Sequence, residues 1–361
     1  MRLLFITILF FSFNLMAQLP IIRVYILAGQ SNMSGTQNPL VSQLPASLKD
    51  TLPNVLIKVG GDNVYNWQTL RPGLGSQPIN FGPEITFGHD ASTYFNGDKI
   101  AIIKYSYGGT TLNEDWRPPS VGGTTGWLYK NFIRDLTKYL DTLAYTNTVQ
   151  IMGMCWMQGE YDARDNGKAF NYQANLVGFI TDVRDTLNLP RLPFAIGMID
   201  NTAGWTYNAI VRQAEINVSK NTDAVSVFDT HGLGTDGVHY NTQGQIELGH
   251  FFFNSVNSLY SIWQAASNGT VNVFPNPTNH SFEISYADVP ADYSYKITDK
   301  KGAEVQSGQL YSGYQIDVSL LSSGTYFITL TINGTNITVK KTHKNLKGGS
   351  TKSILFGRYP K

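Results

Sequence analysis

Gly29-Gln30-Ser31-Asn32-Met33 follows directly on an apolar, strand-type run, Val24-Tyr25-Ile26-Leu27-Ala28. A serine on the turn after a buried strand can point its hydroxyl out of the sheet. Its backbone N–H then faces the same space, so one residue offers a nucleophile and an oxyanion donor together. Taken alone, the pentapeptide also reads as an ordinary turn, because Ser and Asn are common turn residues. Three further segments repeat the arrangement. Lys104-Tyr105-Ser106-Tyr107-Gly108-Gly109-Thr110 follows Ile100-Ala101-Ile102-Ile103, and Trp156-Met157-Gln158-Gly159-Glu160 follows the run 149–155. Asp236-Gly237-Val238-His239-Tyr240-Asn241 lies downstream of Ala224-Val225-Ser226-Val227-Phe228. In a parallel sheet the carboxyl ends of the strands share one edge, where such folds place their chemistry. The four patches would converge there. They hold the parts of an acyl-transfer site: nucleophile, oxyanion donors, base, and an acid to orient the base.

G-Q-S-N-M, the G-G-T after a strand, W-x-Q-G-E and D-G-x-H, in this order, resemble the SGNH-hydrolase superfamily. More narrowly they resemble its sialate O-acetylesterase and acetylxylan esterase branch, carbohydrate esterase family six. The resemblance covers roughly residues 22–262, a span taken as one domain. It implies Ser31 as nucleophile, His239 as base and Asp236, three residues before the histidine, as the triad acid. It also implies an oxyanion hole made by the N–H groups of Ser31 and Gly108 with the Gln158 side chain. The rival α/β-hydrolase elbow reads G-x-S-x-G, and Met33 stands where its second glycine belongs.

Among six histidines, His280 and His343 fall in the C-terminal region, and His89 and His250 in helical patterns. His231, within Asp229-Thr230-His231, is the competitor of His239. The resembled motif favours His239, because D-x-x-H lets the carboxylate reach Nδ1 while Nε2 faces the serine. Asp229, His231, Asp236 and His239 could instead ligate a divalent ion. That reading ranks low, because nucleophile, donors and base form a complete set without a metal. No cofactor is expected. Glu160, beside Gln158, is either a supporting acid for the histidine or, the preferred reading, a carboxylate that fixes its loop. Gln30 and Asn32, flanking Ser31, are candidate substrate contacts. Trp116, Trp127 and Tyr161 are candidates for stacking on sugar faces, since they sit in or beside the motif loops.

The elements that position these residues follow from the apolar pattern of the 361-residue chain. From 22 to about 262, strand-like runs alternate with helical periodicity, as in Leu128, Phe132, Ile133, Leu136, Leu140 and Leu143. Stretches 168–187 and 242–262 repeat that period, and 194–199 reads as another buried strand. Such alternation predicts an α/β domain, a parallel sheet covered on both faces, and the resemblance implies that it is a three-layer α/β/α sheet of SGNH, flavodoxin-like type. Segment 34–98, rich in Gly, Pro and Asn, reads as long loops. After Gln264 short alternating strands with turn signals predict a small all-β sandwich. Its P-N-P-T opening (275–278), L-S-S-G-T-Y (321–326) and final basic strand resemble the type IX secretion sorting domain of Bacteroidetes, over 271–343. The expected division is 1–17 signal peptide, 18–264 esterase domain, 271–343 sorting domain, and a 344–361 tail that fits neither.

Arg2 followed by the apolar run 3–13 and Ala17 reads as a secretory signal, too short to span a membrane. The formal net charge of +1 carries no basic stripe for nucleic acid. The single cysteine, Cys155, lies in an apolar strand pattern and reads as a small buried hydrophobe. The two resemblances imply an acetylated glycan and the type IX secretion machinery as partners, and neither nucleic acid nor membrane insertion is expected. The expected location is secreted or cell-surface, by way of the periplasm. The rival reading is a glycan-binding protein on an esterase-like scaffold without turnover.

Overall fold

The computed structural model describes residues 19–61, 64–202 and 204–267. In the C-terminal region it describes 272–274, 281–285, 293–299, 301–310, 315–322, 324–332, 335–339 and 354–356. The expected 1–17 leader and most of the 344–361 tail lie outside the described residues.

The first unit runs β1 (Ile21–Gly29), α1 (Ser31–Ser34), β2 (Leu52–Gly61), β3 (Tyr65–Leu70), α2 (Glu84–Tyr94), β4 (Lys99–Ser106) and α3 (Trp127–Ala144). It continues through β5 (Thr148–Met157), α4 (Asn166–Leu187), β6 (Phe194–Met198), α5 (Asn208–Asn221), β7 (Val225–Asp229) and α6 (Thr242–Ser267). The seven strands form one sheet in the order β3-β2-β4-β1-β5-β6-β7. Every pair is parallel except β2–β3. A parallel sheet is covered on both faces, and β1 shows it: Val24, Tyr25, Ile26, Leu27 and Ala28 are all fully buried. Helices α2 and α6 cover one face, where Phe87 and Phe253 meet edge to face. Helices α3, α4 and α5 cover the other, where Phe132 stacks on Phe179. The α/β expectation is met.

Segment 34–98 departs from its expectation as loops. It contributes β2, β3 and α2. Pro53 and the Gly60-Gly61 pair break up the β2 pattern in sequence. Gly88 in α2 gives no apolar signal, yet it lets Leu70 pack so closely that a Cβ there would sit 2.1 Å from it. Close packing of that kind is invisible to periodicity.

The C-terminal unit is all-β. Strands β8 (Asn272–Phe274), β9 (Ser281–Ser285), β10 (Tyr293–Thr298) and β11 (Glu304–Leu310) are followed by β12 (Gln315–Asp317), β13 (Gly324–Ile332) and β14 (Thr335–Val339). They form two antiparallel sets, β11-β10-β13-β14 and β12-β9-β8. From the tail, β15 (Ile354–Phe356) adds alongside β13 in parallel.

The sheet register sets up the site. Gly29 is level with Ser106 of β4 and with Met157 of β5. The three neighbouring central strands therefore end at one height, where the chain switches from one side of β1 to the other. Crevices at such switch points are the binding sites of open α/β sheets.

Candidate active site

Ser31 opens the four-residue helix α1 immediately after β1. Gly29 makes this turn feasible: its φ is +151°, and a Cβ there would meet the Met157 carbonyl oxygen at 1.9 Å. The turn is sewn to its neighbours, with Gln30 N–H donating to Met157 O (2.9 Å) and Tyr107 N–H to Gly29 O (3.1 Å). Gln30, Ser31, Gly108, Gly109, Glu160, Tyr161 and His239 line one cavity of about 300 Å³. Residues from the ends of β1, β4 and β5 thus meet a histidine from the loop between β7 and α6. Ser31 is 8% exposed. No hydrogen bond joins its hydroxyl to the His239 ring among the described residues.

His239 is half-buried, and its Nδ1 is buried without a hydrogen-bond partner among the described residues. Burial lowers its pKa, the Asp236 carboxylate raises it, and Arg164 lowers it again. The expectation that Asp236 reaches Nδ1 needs correction for this geometry. Asp236 Oδ1 accepts the backbone N–H groups of Val238 (2.8 Å) and His239 (2.7 Å), and Oδ2 accepts from the Asn38 amide. An aspartate two and three residues before those N–H groups folds back on them in a local turn, and this bonding competes with the ring. Burial pulls the Asp236 pKa upward, but the two N–H groups and Asn38 outweigh it and leave the carboxyl below its usual range.

Glu160 is fully enclosed yet faces the cavity. Its Oε1 accepts from Asn32 Nδ2 (2.8 Å), and its Oε2 has no partner among the described residues. Burial pushes its carboxyl up to about 7, against the Asn32 bond that pulls it down.

Gln158 and Asn32 differ from their expected roles. Gln158 is fully buried and does not line the cavity. Its Nε2 donates to Thr110 O (2.9 Å) and Asp162 Oδ2 (2.7 Å) and lies 3.3 Å from Gln30 Oε1. An amide has two N–H groups, and both are spent on the protein, leaving none for an oxyanion. Gln158 instead holds the glycine loop. Asp162 completes that tie by accepting from the N–H groups of Leu112 (2.8 Å) and Asn113 (3.0 Å). Asn32, 2% exposed, is likewise no substrate contact. Its Nδ2 serves Glu160 and Val238 O (3.1 Å), and its Oδ1 accepts from Tyr240 N–H (3.1 Å). Gln30 does line the cavity.

The aromatic candidates separate. Trp116 is fully buried against Tyr105, Phe132, Trp156 and Phe179, with its indole N–H on Thr110 Oγ1 (3.1 Å), so it is core and cannot stack on a sugar. Trp127 is exposed, bonded to Asp115 (2.8 Å) and edge-on to Tyr107, outside the cavity lining. Tyr161 lines the cavity, with the Arg164 guanidinium 4.5 Å above its ring.

Arg164, Trp205, Thr36 and Val238 also line the cavity and were missed by sequence reasoning. Trp205 is nearly fully buried, and its indole N–H has no partner among the described residues. Val238 is the open position of D-G-x-H, and the other three belong to no motif. For Arg164 the available signal was its place four residues after Glu160. His231 is drawn elsewhere, with Nδ1 3.1 Å from Asp200, while Asp229 forms a two-bond pair with Arg212. Among the described residues no group of three or more His, Cys, Asp or Glu side chains is disposed to hold a metal. Cys155 is buried in β5, and no described helix is long and apolar enough to cross a membrane.

The family model "Carbohydrate esterase, sialic acid-specific acetylesterase" matches residues 22–258. The model "Secretion system C-terminal sorting domain" matches residues 272–345. A probable carbohydrate esterase of Arabidopsis thaliana is 26% identical over 256 residues, which is 65% of this chain and 90% of that protein. A crystal structure of an Arabidopsis thaliana protein superposes with a TM-score of 0.53 at 22% identity, covering 66% of this chain and 97% of that one. The structure of a carbohydrate acetylesterase from Xanthomonas citri gives a TM-score of 0.50 at 15% identity, over 87% of this chain and 77% of that one. At these identities the two structures speak for the fold.

Proposed function

Because the chain belongs to the carbohydrate esterase family of sialic acid-specific acetylesterases, we propose that its cavity removes O-acetyl groups from glycans through an acyl-enzyme on Ser31. The supporting observation is convergence: Ser31, Gly108 and His239, from three distant segments, line one cavity of about 300 Å³. The volume lies at the small end of ligand pockets and suits an acetyl group with part of one sugar. Ser31 Oγ attacks the ester carbonyl as His239 Nε2 takes its proton. The oxyanion is held by the backbone N–H groups of Ser31 and Gly108. His239 then protonates the leaving sugar oxygen, and in the second step it takes a proton from water, which attacks the acetyl carbonyl and releases acetate as the proton passes to Ser31 Oγ. Asp236 raises the basicity of His239 through its charge. In the substrate complex its carboxylate turns from the local N–H groups toward Nδ1, since catalytic hydrogen bonds tighten only there.

Two glycan types fit this reading, acetylxylan and O-acetylated sialic acid. Arg164 favours the second, because it is the one permanent cation on the cavity wall among the described residues and can face a sugar carboxylate. The sorting-domain match supports export by the type IX machinery to the cell surface or beyond, after loss of the 1–17 leader. The test is acetate release from acetylxylan and O-acetylated sialic acid by wild type and Ser31→Ala. Loss of the hydroxyl should cost about a thousandfold or more with an unchanged melting curve. Wild-type turnover in folded Ser31→Ala refutes the acyl-enzyme. Wild type that binds these glycans but releases no acetate would instead establish the non-catalytic reading.

A further inference from the structure

Beside the ester cavity lies a second, larger cavity of about 920 Å³. Two chain segments contribute to both: Thr36 and Val238 line the first, while Gln37, Asn38, Thr235 and Asp236 line the second. The Asn38–Asp236 hydrogen bond lies in the wall of the second cavity.

The walls of this groove carry one chemistry. Four of its amides are anchored at one end and unspent at the other. Gln43 Oε1 accepts from the Thr242 hydroxyl (2.7 Å), leaving its N–H groups. Asn241 Oδ1 accepts from Gly244 N–H (3.0 Å) at the start of α6, again leaving N–H groups. Asn38 donates to Asp236 and Gln243 donates to Glu247 (2.8 Å), each leaving its carbonyl oxygen. The groove therefore presents both amide donors and amide acceptors, together with apolar surface from Leu40 and Ile246. Among the described residues the groove lining has one charged residue, Asp236, whose two oxygens are already bonded.

A nucleotide or an acidic peptide would require cations, and a protein hot spot would call for aromatic or Arg anchors; the lining has neither. Sugar hydroxyls both donate and accept, and C–H faces suit Leu and Ile. Amides already anchored lose little freedom on binding. We propose that this groove is a glycan subsite that holds the uncharged sugar next to the one bearing the ester. The proposal rests on the ester reading of the neighbouring cavity. Its consequence is selectivity for an acetyl group carried on an oligosaccharide over the same group on a free sugar.

The test compares two substrate pairs: O-acetylated xylotriose against O-acetylated xylose, and O-acetylated sialyllactose against free O-acetylated sialic acid. In at least one pair the wild type should show a kcat/KM ratio of about ten or more in favour of the oligosaccharide. Gln43→Ala combined with Gln243→Ala removes two half-anchored amides and should lower that ratio about tenfold, through KM, the loss of two hydrogen bonds. Gln43→Trp, which fills the groove, should abolish the preference even if the double variant is unstable. A ratio near one in both pairs overturns the subsite, as does a ratio unchanged in both variants with normal melting curves. Hydrolysis of 4-nitrophenyl acetate by wild type separates the failures. Without it the ester reading fails, and with it, indifference to chain length removes only the groove.

Discussion

Replacing Glu160 by glutamine takes a proton equilibrium out of the cavity wall. The folded carboxyl titrates at about 7 against an ordinary 4.5, and burial is the leading cause. Each unit corresponds to about 1.36 kcal/mol, so ionising the group in the folded chain costs about 3 kcal/mol. The sign follows from proton binding. Between the two pKa values the folded chain keeps a proton that the unfolded chain releases, so stability falls as pH rises. This contribution is complete below the unfolded pKa and is lost as pH passes through about 7. Asp162, pushed up to about 6 by burial, adds a trend of the same sign, as does the buried Glu215. Both remain in the variant, and because the Glu160 charge itself helps to raise Glu215, the difference between proteins reports Glu160 together with that coupling. Glutamine keeps an oxygen for Asn32 and never ionises. In urea unfolding from about pH 4 to about pH 9, the wild type should lose about 3 kcal/mol more than Glu160→Gln. Parallel curves would mean that the carboxyl is ionised and hydrated in the fold, and a dry, enclosed Glu160 would be wrong.

Three further outcomes are expected. Asp236→Asn should lower kcat about 10²–10⁴-fold, because it removes the charge that supports the His239 imidazolium, whereas Glu160→Gln should cost far less; the opposite order in folded proteins would transfer the triad role to Glu160. Arg164→Gln removes a positive charge that depresses the His239 pKa, so the acid limb of the kcat/KM profile, which reports the free base, should move to higher pH; a limb that stays or moves down removes Arg164 from the field at the base. A chain ending near Gln264 should keep full activity on a small ester while remaining in the periplasm of the native host, as a domain with its own core would; normal surface delivery would disprove the sorting role of the C-terminal β unit.

The convergence of Ser31, Gly108 and His239 was legible because the first two follow closely on apolar runs whose ends parallel pairing aligns, and the D-G-x-H motif marks the histidine in the loop after β7. What stayed hidden depends on partners distant in sequence. The amide of Gln158 points away from the cavity because Asp162 and the Thr110 carbonyl take its hydrogens, and no motif states that direction. Trp116 sits in a motif loop like an exposed binding residue, but the packing of α3 and α4 encloses it. Asp236 lies at the spacing expected of a triad acid, yet the backbone that carries it there also offers two nearer donors. Arg164 and Trp205 reach the cavity from turns whose paths the apolar pattern does not describe.

The Asn32 side chain joins residues 208 apart, bonding Glu160 after β5 and the Tyr240 backbone beyond β7 at once. The seat of the nucleophile is therefore finished only when the last loop of the α/β unit comes home. Contacts of such long sequence separation form late, after their loop-closure cost has been met. A nascent or truncated chain ending before residue 239 can build β1 and its serine turn, yet it lacks both the base and the Tyr240 half of the clasp that holds that turn. In a refolding experiment, regained ester cleavage should accordingly trail recovery of helical signal and coincide with closure of the whole domain, which makes turnover a reporter of completion for this fold.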